Sequence, residues 1–287
     1  MYGSYRGRSR PRGRTAAGLS GSGARAACTA AALCAALLLS GCSGDDGDAD
    51  GSPVVGQRPK AKDPYWVNPD GTAARQVAAY EKVGDQEKAD LIRKIAEQPA
   101  GEWIGPDDPE GEARRVTEAA AKADRYALLV LYNIPHRDCG QFSKGGAADA
   151  GAYRAWVDGV AKGIGDRRAT VVLEPDALLH LVDGCTPQEH HDERYDLLKG
   201  AIERLKKQPA TQIYVDAGNA GWQSPETWCN PPGRALGEPP TTETGDEKVD
   251  AYLWIKRPGE SDGDCKGGPK AGAWWPEYAL GLARATT

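Results

Sequence analysis

Four apolar runs of strand length recur about forty residues apart, centred near residues 130, 172, 213 and 253, with helical patterns between them. They are Tyr126 to Ile134 (YALLVLYNI), Thr170 to Leu173, Thr211 to Val215 and Val249 to Lys256; Glu102-Trp103-Ile104-Gly105 forms a shorter first candidate. Runs that are apolar at successive positions belong to strands buried on both faces. Strands separated by helices run parallel. The pattern predicts an α/β fold with a helix-covered parallel sheet, and its even spacing suits a βα barrel better than a doubly wound sheet. The helical segments are Arg75 to Ala96, Gly111 to Asp124, Ala150 to Gly163, Pro187 to Lys207 and Trp274 to Arg284. Residues 217–249 break the rhythm. They hold Gly218, Gly221, Pro225, Pro231, Pro232, Gly233, Gly237, Pro239, Pro240 and Gly245 and carry no helical period. So long a connection counts against a complete fold.

The start of the chain reads as an address. Residues 1–41 contain six arginines and no acid, and the run Ala26 to Leu39 has Thr29 as its only polar residue. A basic stretch followed by an apolar run too short to span a bilayer is the pattern of an export signal. Leu39-Ser40-Gly41-Cys42 resembles the bacterial lipobox, which makes Cys42 a candidate lipid anchor. Residues 42–62 open with an Asp/Gly/Ser stretch that cannot bury apolar surface and read as a tether. Residues 63–287 are then the folded body. The expected location is the outer face of a bacterial membrane, or secreted. The formal net charge of −5 becomes −11 without the six arginines, so nucleic acid is not an expected partner. Of seven cysteines, Cys28 and Cys34 would leave with the signal and Cys42 would carry lipid. Cys139, Cys185, Cys229 and Cys265 remain, as in an exported domain with two disulfides. No C-x-x-C is present, so no zinc site is expected.

Each long strand run is followed by a carboxylate. Asp138 follows the first of the four, Asp176 the second (Glu174-Pro175-Asp176), Asp216 the third, and Lys256, Glu260 and Asp262 the last. In a parallel sheet these ends share one edge, where α/β active sites lie. Carboxylates gathered in one cleft push one pKa upward, as general acid–base hydrolysis requires. The aromatics Tyr132, Trp222, Trp228 and Trp254 collect at the same edge. Eight Trp against one Phe and one Met suggests flat faces for stacking on sugar rings. His190-His191-Asp192-Glu193 reads as a solvated helix face, and neither a Gly-x-Ser-x-Gly elbow nor a phosphate loop is present.

Four ordered blocks resemble glycoside hydrolase family 6, the cellulase family of endoglucanases and cellobiohydrolases: Tyr132 to Cys139 (YNIPHRDC), Val172 to Asp176 (VLEPD), Tyr214 to Trp222 (YVDAGNAGW) and Trp254 to Gly263 (WIKRPGESDG). The resemblance implies a distorted βα barrel and inverting hydrolysis of β-1,4-glucosidic bonds by a monomer without metal or organic cofactor. It implies Asp176 as general acid and Asp138 beside it, raising its pKa and helping to relay a proton. Asp262 is a candidate base and Asp216 orients the cluster. Tyr132 would crowd the cleaved sugar; Asn219, Trp222, Trp228, Lys256 and Glu260 would bind flanking sugars. It also implies Cys139–Cys185 and Cys229–Cys265 pairs. The short segments Gly140 to Gly151 and Asp264 to Lys270 match an open, endo-acting cleft.

The chain also departs from the family. Only Gln223 to Thr227 separate Trp222 from Trp228, where the family carries about two further strand–helix units, and Asn219 stands where it usually has His. A shortened, incomplete barrel leaves strand edges unpaired. A deletion variant, a decaying gene and a sequence error all fit this gap. Two readings follow: a lipid-anchored β-1,4-glucanase, or a non-catalytic glucan-binding lipoprotein or inactive remnant.

Overall fold

The computed structural model describes residues 2–5, 64–138, 143–216, 218, 249–253 and 255–286, with backbone only at 2–5 and 249–253. The chain divides into one unit of Met1–Arg6 with Val54–Thr287 and a second, Gly7–Pro53, which lies outside the described residues. So do Cys42, the tether at 42–62, Cys139, Asn219, Trp222, Trp228, Cys229 and Trp254.

In chain order the elements are β1 (Tyr2–Tyr5), α1 (Thr72–Lys82), α2 (Gln86–Ala96), β2 (Glu102–Ile104), α3 (Pro109–Lys122), β3 (Ala127–Leu131), α4 (Ala150–Ile164), β4 (Ala169–Leu173), α5 (Leu179–Val182), α6 (His191–Leu205), β5 (Thr211–Asp216), β6 (Val249–Leu253) and α7 (Pro276–Ala285). They build one sheet in the order β2-β3-β4-β5-β1-β6. Strands β2 to β5 are parallel and in chain order, as expected of βα units. The architecture is the expected α/β one, a parallel sheet with helices and an incomplete barrel.

Helix starts follow local chemistry. Asp85, Asp108 and Asp149 each accept a backbone N–H from the first turn, and Pro109 opens α3. The single helix expected over Arg75 to Ala96 is two. Val83-Gly84-Asp85 turns the chain between α1 and α2, with Gly84 at φ 79°, where a side chain is strained. The short helix α5 has no counterpart in the sequence reading.

Every residue of β3 and β4 is buried. On one face Leu129, Leu131, Val171 and Leu173 pack against Val116, Tyr153, Val157 and Leu197 of the covering helices. On the other, Leu128, Val130, Val172 and Ile255 form a smaller cluster flanked by Tyr65 and Trp103. Helices α1, α2 and α7 share a third, around Ile92 and Leu280.

Strand β1 lies antiparallel to both β5 and β6 and separates them, so β5 and β6 themselves run the same way. This adds to the sequence reading, in which residues 1–41 are an export signal. Processing before Cys42 would remove β1 and open both flanking edges. On the far side, Ile255 to Arg257 run beside β2. The Trp103 indole N–H donates to the Ile255 carbonyl at 3.1 Å, and Arg257 reaches Gly101 O at 3.1 Å and the Glu102 carboxylate at 3.0 Å. Side chains rather than a strand ladder span this seam among the described residues.

Arg257→Met removes a charged donor from this half-buried seam. It should destabilise the protein by about 1–3 kcal/mol, read as a lower urea midpoint at unchanged m-value.

Candidate active site

Register places the site. Ile104, Leu131, Leu173 and Val215 are successive partners across β2 to β5. The next residue of each of the last three strands is therefore level: Tyr132, Glu174 and Asp216. Asp138 and Asp176 lie a few residues further along the same edge. The two loops are held in unusual backbone. His136, Asp138, Glu174 and Asp176 have φ of 57°, 60°, 47° and 69°. They are four of six such non-glycine residues among those described, and residues held in this region concentrate at functional sites.

Asp216 is 1% exposed. Its Oδ1 accepts the N–H of Gly218 at 2.7 Å and of Asp176 at 3.3 Å, while Oδ2 is buried without a partner. Burial pushes its pKa up to about 6 against those two donors. Asp176 keeps part of its surface open, but its Oδ1 is shut from solvent and unpartnered. Burial first, then the charges of Asp216, Asp138 and Asp183, push its pKa up to about 8. Asp138 Oδ2 accepts the Ser143 N–H at 2.6 Å. Tyr132 meets the edge of Trp103 at 5.6 Å and lies under the Arg137 guanidinium at 4.4 Å. Burial, then Asp176 and Asp138, hold its hydroxyl firmly protonated. Arg137 also donates to Ser143 O at 2.9 Å and to Tyr132 O, bracing the turn that carries Asp138. Gly146 completes that brace. At φ 98° its α-carbon lies so close to the Ile134 carbonyl that a β-carbon would stand 2.0 Å from the oxygen.

The structure thus brings Asp138, Asp176, Asp216 and Tyr132 together. Lys256, Glu260 and Asp262 form a second group on the loop after β6. Lys256 pairs with Asp262 and lies 5.9 Å over the Tyr278 ring. Burial, then Asp262, push the Tyr278 hydroxyl up to about 12. Glu260 accepts from Thr72 Oγ1 at 3.4 Å, with Arg257 at 3.7 Å, and burial raises its pKa. A cavity of about 740 Å³ opens on this side, lined by Asn68, Thr72, Lys94, Glu102, Lys256 and Arg257 among others. Of the sugar-contact candidates, Asn219, Trp222 and Trp228 lie outside the described residues. Cys185 and Cys265 are each disulfide-bonded; Cys139 and Cys229 lie outside the described residues.

Two groups missed by the sequence reading support the cluster. Glu174 is 0% exposed; its carboxylate takes the N–H of Asn133 at 2.9 Å and of Ile134 at 3.0 Å. Burial pushes its pKa up to about 7 against those donors and the neighbouring Tyr153 hydroxyl. Arg194, 2% exposed, donates to Ala177 O, Pro135 O and His136 O. A charge interrupting an apolar strand end, as Glu174 does after ATVVL, was the available signal. Two histidine-bearing groups come close enough to consider as ligands: His136, His190 and Glu193, and His180, Asp183 and Cys185. In the first, the imidazoles stack at 3.9 Å and 10°, so their in-plane lone pairs do not converge on one point. In the second, the sulfur is already in a disulfide. The stack adds a contact to the partly exposed face at His190 to Glu193.

The model of Glycosyl hydrolases family 6 matches residues 60–227 and, separately, 223–286. Endoglucanase A of Cellulomonas fimi is 34% identical over 79% of this chain, and Endoglucanase 1 of Streptomyces halstedii 32% over 75%. The chain spans 62% of the length of the first and 87% of the second. Among solved structures, the endoglucanase Cel6 from Mycobacterium tuberculosis, in complex with a thio-linked methyl-cellobiosyl cellobioside, superposes with a TM-score of 0.67 at 32% identity. That match covers 80% of this chain and 99% of the other. The two-piece family match joins at 223–227, where the two strand–helix units are missing.

Three buried carboxyls with raised pKa values fix the sign of a pH effect. The native state holds protons that the unfolded chain releases, so stability is full below about pH 4. It falls as pH rises through about 6 (Asp216), 7 (Glu174) and 8 (Asp176). Each group contributes at most about 1.4 kcal/mol per pH unit. Asp176→Asn should flatten the fall in melting temperature between about pH 4 and 8, read by scanning calorimetry.

Proposed function

The chain belongs to glycosyl hydrolases family 6, and from that membership we propose that it is an inverting glycosidase that cleaves β-1,4-glucosidic bonds in cellulose-type glucans, endo-acting along an open cleft. The observation that carries the reading is Asp176. It is a carboxyl kept protonated near neutral pH by burial and by the charges of Asp216, Asp138 and Asp183, with one oxygen unpartnered.

In this reading Asp176 donates its proton to the leaving glycosidic oxygen while water attacks the opposite face of the sugar. Asp138 takes part in removing the proton from that water, and its charge holds Asp176 protonated until the bond breaks. Asp216 fixes the second loop by accepting the Asp176 N–H. Tyr132, pinned between Trp103 and Arg137, presses on the sugar ring from a fixed position. Asp262 is the candidate base. Lys256, Glu260, Asn219, Trp222 and Trp228 bind flanking sugars. Cys185 pairs with Cys139 and Cys265 with Cys229, each bracing an acid-bearing loop. Residues 1–41 direct export, Cys42 holds the protein by lipid, 42–62 tether it, and 63–287 act as a monomer on soluble glucan outside the cell.

One observation favours a second reading. The family match falls in two pieces that meet at 223–227; in this reading the protein is a glucan-binding lipoprotein without turnover, or an inactive remnant.

Reducing-sugar release from a soluble β-1,4-glucan decides between them. The wild type should turn over, and Asp176→Ala should lose about 10²–10⁴-fold in kcat. The alkaline limb of kcat/KM should fall near pH 8, where the acid loses its proton. Equal rates for wild type and variant would remove the hydrolase reading, whereas glucan binding without release in both would select the second.

A further inference from the structure

Two loops carry the acid pair, and one buried side chain touches both. Arg194 lies in the first turn of α6 and is 2% exposed. Its Nη1 donates to the carbonyl of Ala177 at 3.3 Å, the residue after Asp176. Its Nη2 donates to the carbonyls of Pro135 at 3.1 Å and His136 at 2.9 Å, just before Asp138. Those carbonyls belong to segments with backbone in the left-handed region, which no strand ladder supports. Glu174 holds the same Asp138 loop from its other end, through the N–H groups of Asn133 and Ile134. Burial lowers the Arg194 pKa, and the charges of Glu174, Tyr132 and Asp183 act against that.

We propose that Arg194 is a positioning residue: its guanidinium fixes the Asp138 loop against the Asp176 loop and so sets the spacing of the acid pair. This rests on the reading of Asp138 and Asp176 as the working carboxyls. A planar fork with several donors spans carbonyls on two loops at once. An ammonium on a flexible stem cannot span them equally well. The arrangement acts on chemistry rather than on binding, because the Arg194 side chain is itself buried.

The test is a double-mutant cycle joined to amide exchange. Arg194→Met keeps the stem and removes the donors. Alone it should lower kcat about 10²-fold, the cost of a misplaced reacting group, with KM changed less than about threefold. In an Asp138→Asn background the same change should cost less than about threefold, since the partner it positions is already disabled. Mass-spectrometric exchange should show faster amides in 132–138 and 174–178, with β3 and β4 at wild-type rates. Equal losses in both backgrounds, or unchanged loop exchange, would overturn the proposal. Should Arg194→Met fail to fold, Arg194→Lys keeps the charge with fewer donors, and it should show the same loop-limited exchange with a smaller kcat loss. A wild type without turnover would defeat the hydrolase reading alone, because loop exchange still tells whether Arg194 holds the two segments.

Discussion

The shared register of β3, β4 and β5 is the constraint from which the site follows. Leu131, Leu173 and Val215 lie side by side in one hydrogen-bonded row. A slip of one residue in any pair would turn its side chains to the opposite face and carry its carboxylate off the edge. The slip is blocked because β3 and β4 are buried throughout, so neither face can accept the other's residues. Apolar packing in the interior thus dictates where the polar groups at the rim must sit.

That packing also sets their chemistry. Asp176, Asp216 and Glu174 emerge where the covering helices still exclude water, and each has a raised pKa with burial as the first cause. They differ in what offsets it. Glu174 has backbone donors from the neighbouring loop, Asp216 has two N–H groups on one oxygen, and the raising of Asp176 is reinforced by the surrounding charges. Asp176 and Asp216 each keep an unpartnered oxygen, and Asp176, the least compensated of the three, is the one that keeps part of its surface open.

The strands were legible because parallel strands buried on both faces have continuous apolar runs, and YALLVLYNI and ATVVL admit few other readings. Their carboxylate ends followed at once. What stayed hidden depended on contacts remote in sequence. Gly84 inside an otherwise helical stretch gave no sign that it would take a positive φ. Arg194 sits in an acidic, polar helix start that looks solvated, yet α6 packs against the two acid loops and buries it. Glu174 was visible as part of a motif, but its task emerged only when the Asn133 and Ile134 amides were found pointing at it. The placement of Tyr2–Tyr5 in the sheet was not legible either, since that segment has no alternation or apolar run of its own.

The missing units bear on the chemistry more directly than a remote deletion would. The parallel ladder stops at β5, and β5 ends in Asp216, whose orientation depends on the Gly218 N–H two residues on. The family match breaks a few residues later, at 223–227. The far edge of β5 is paired by β1 through only Ser4 and Tyr5, opposite Asp216 and Val215. A strand whose own sequence neighbours are absent therefore carries one of the three carboxyls that set the protonation of the acid. Loss of order there would let water reach Asp216 and lower its pKa. Water would also screen its charge, which would then act less strongly on Asp176. The gap thus works against a precise acid pair twice, through geometry and by weakening the Asp216 charge that helps keep Asp176 protonated.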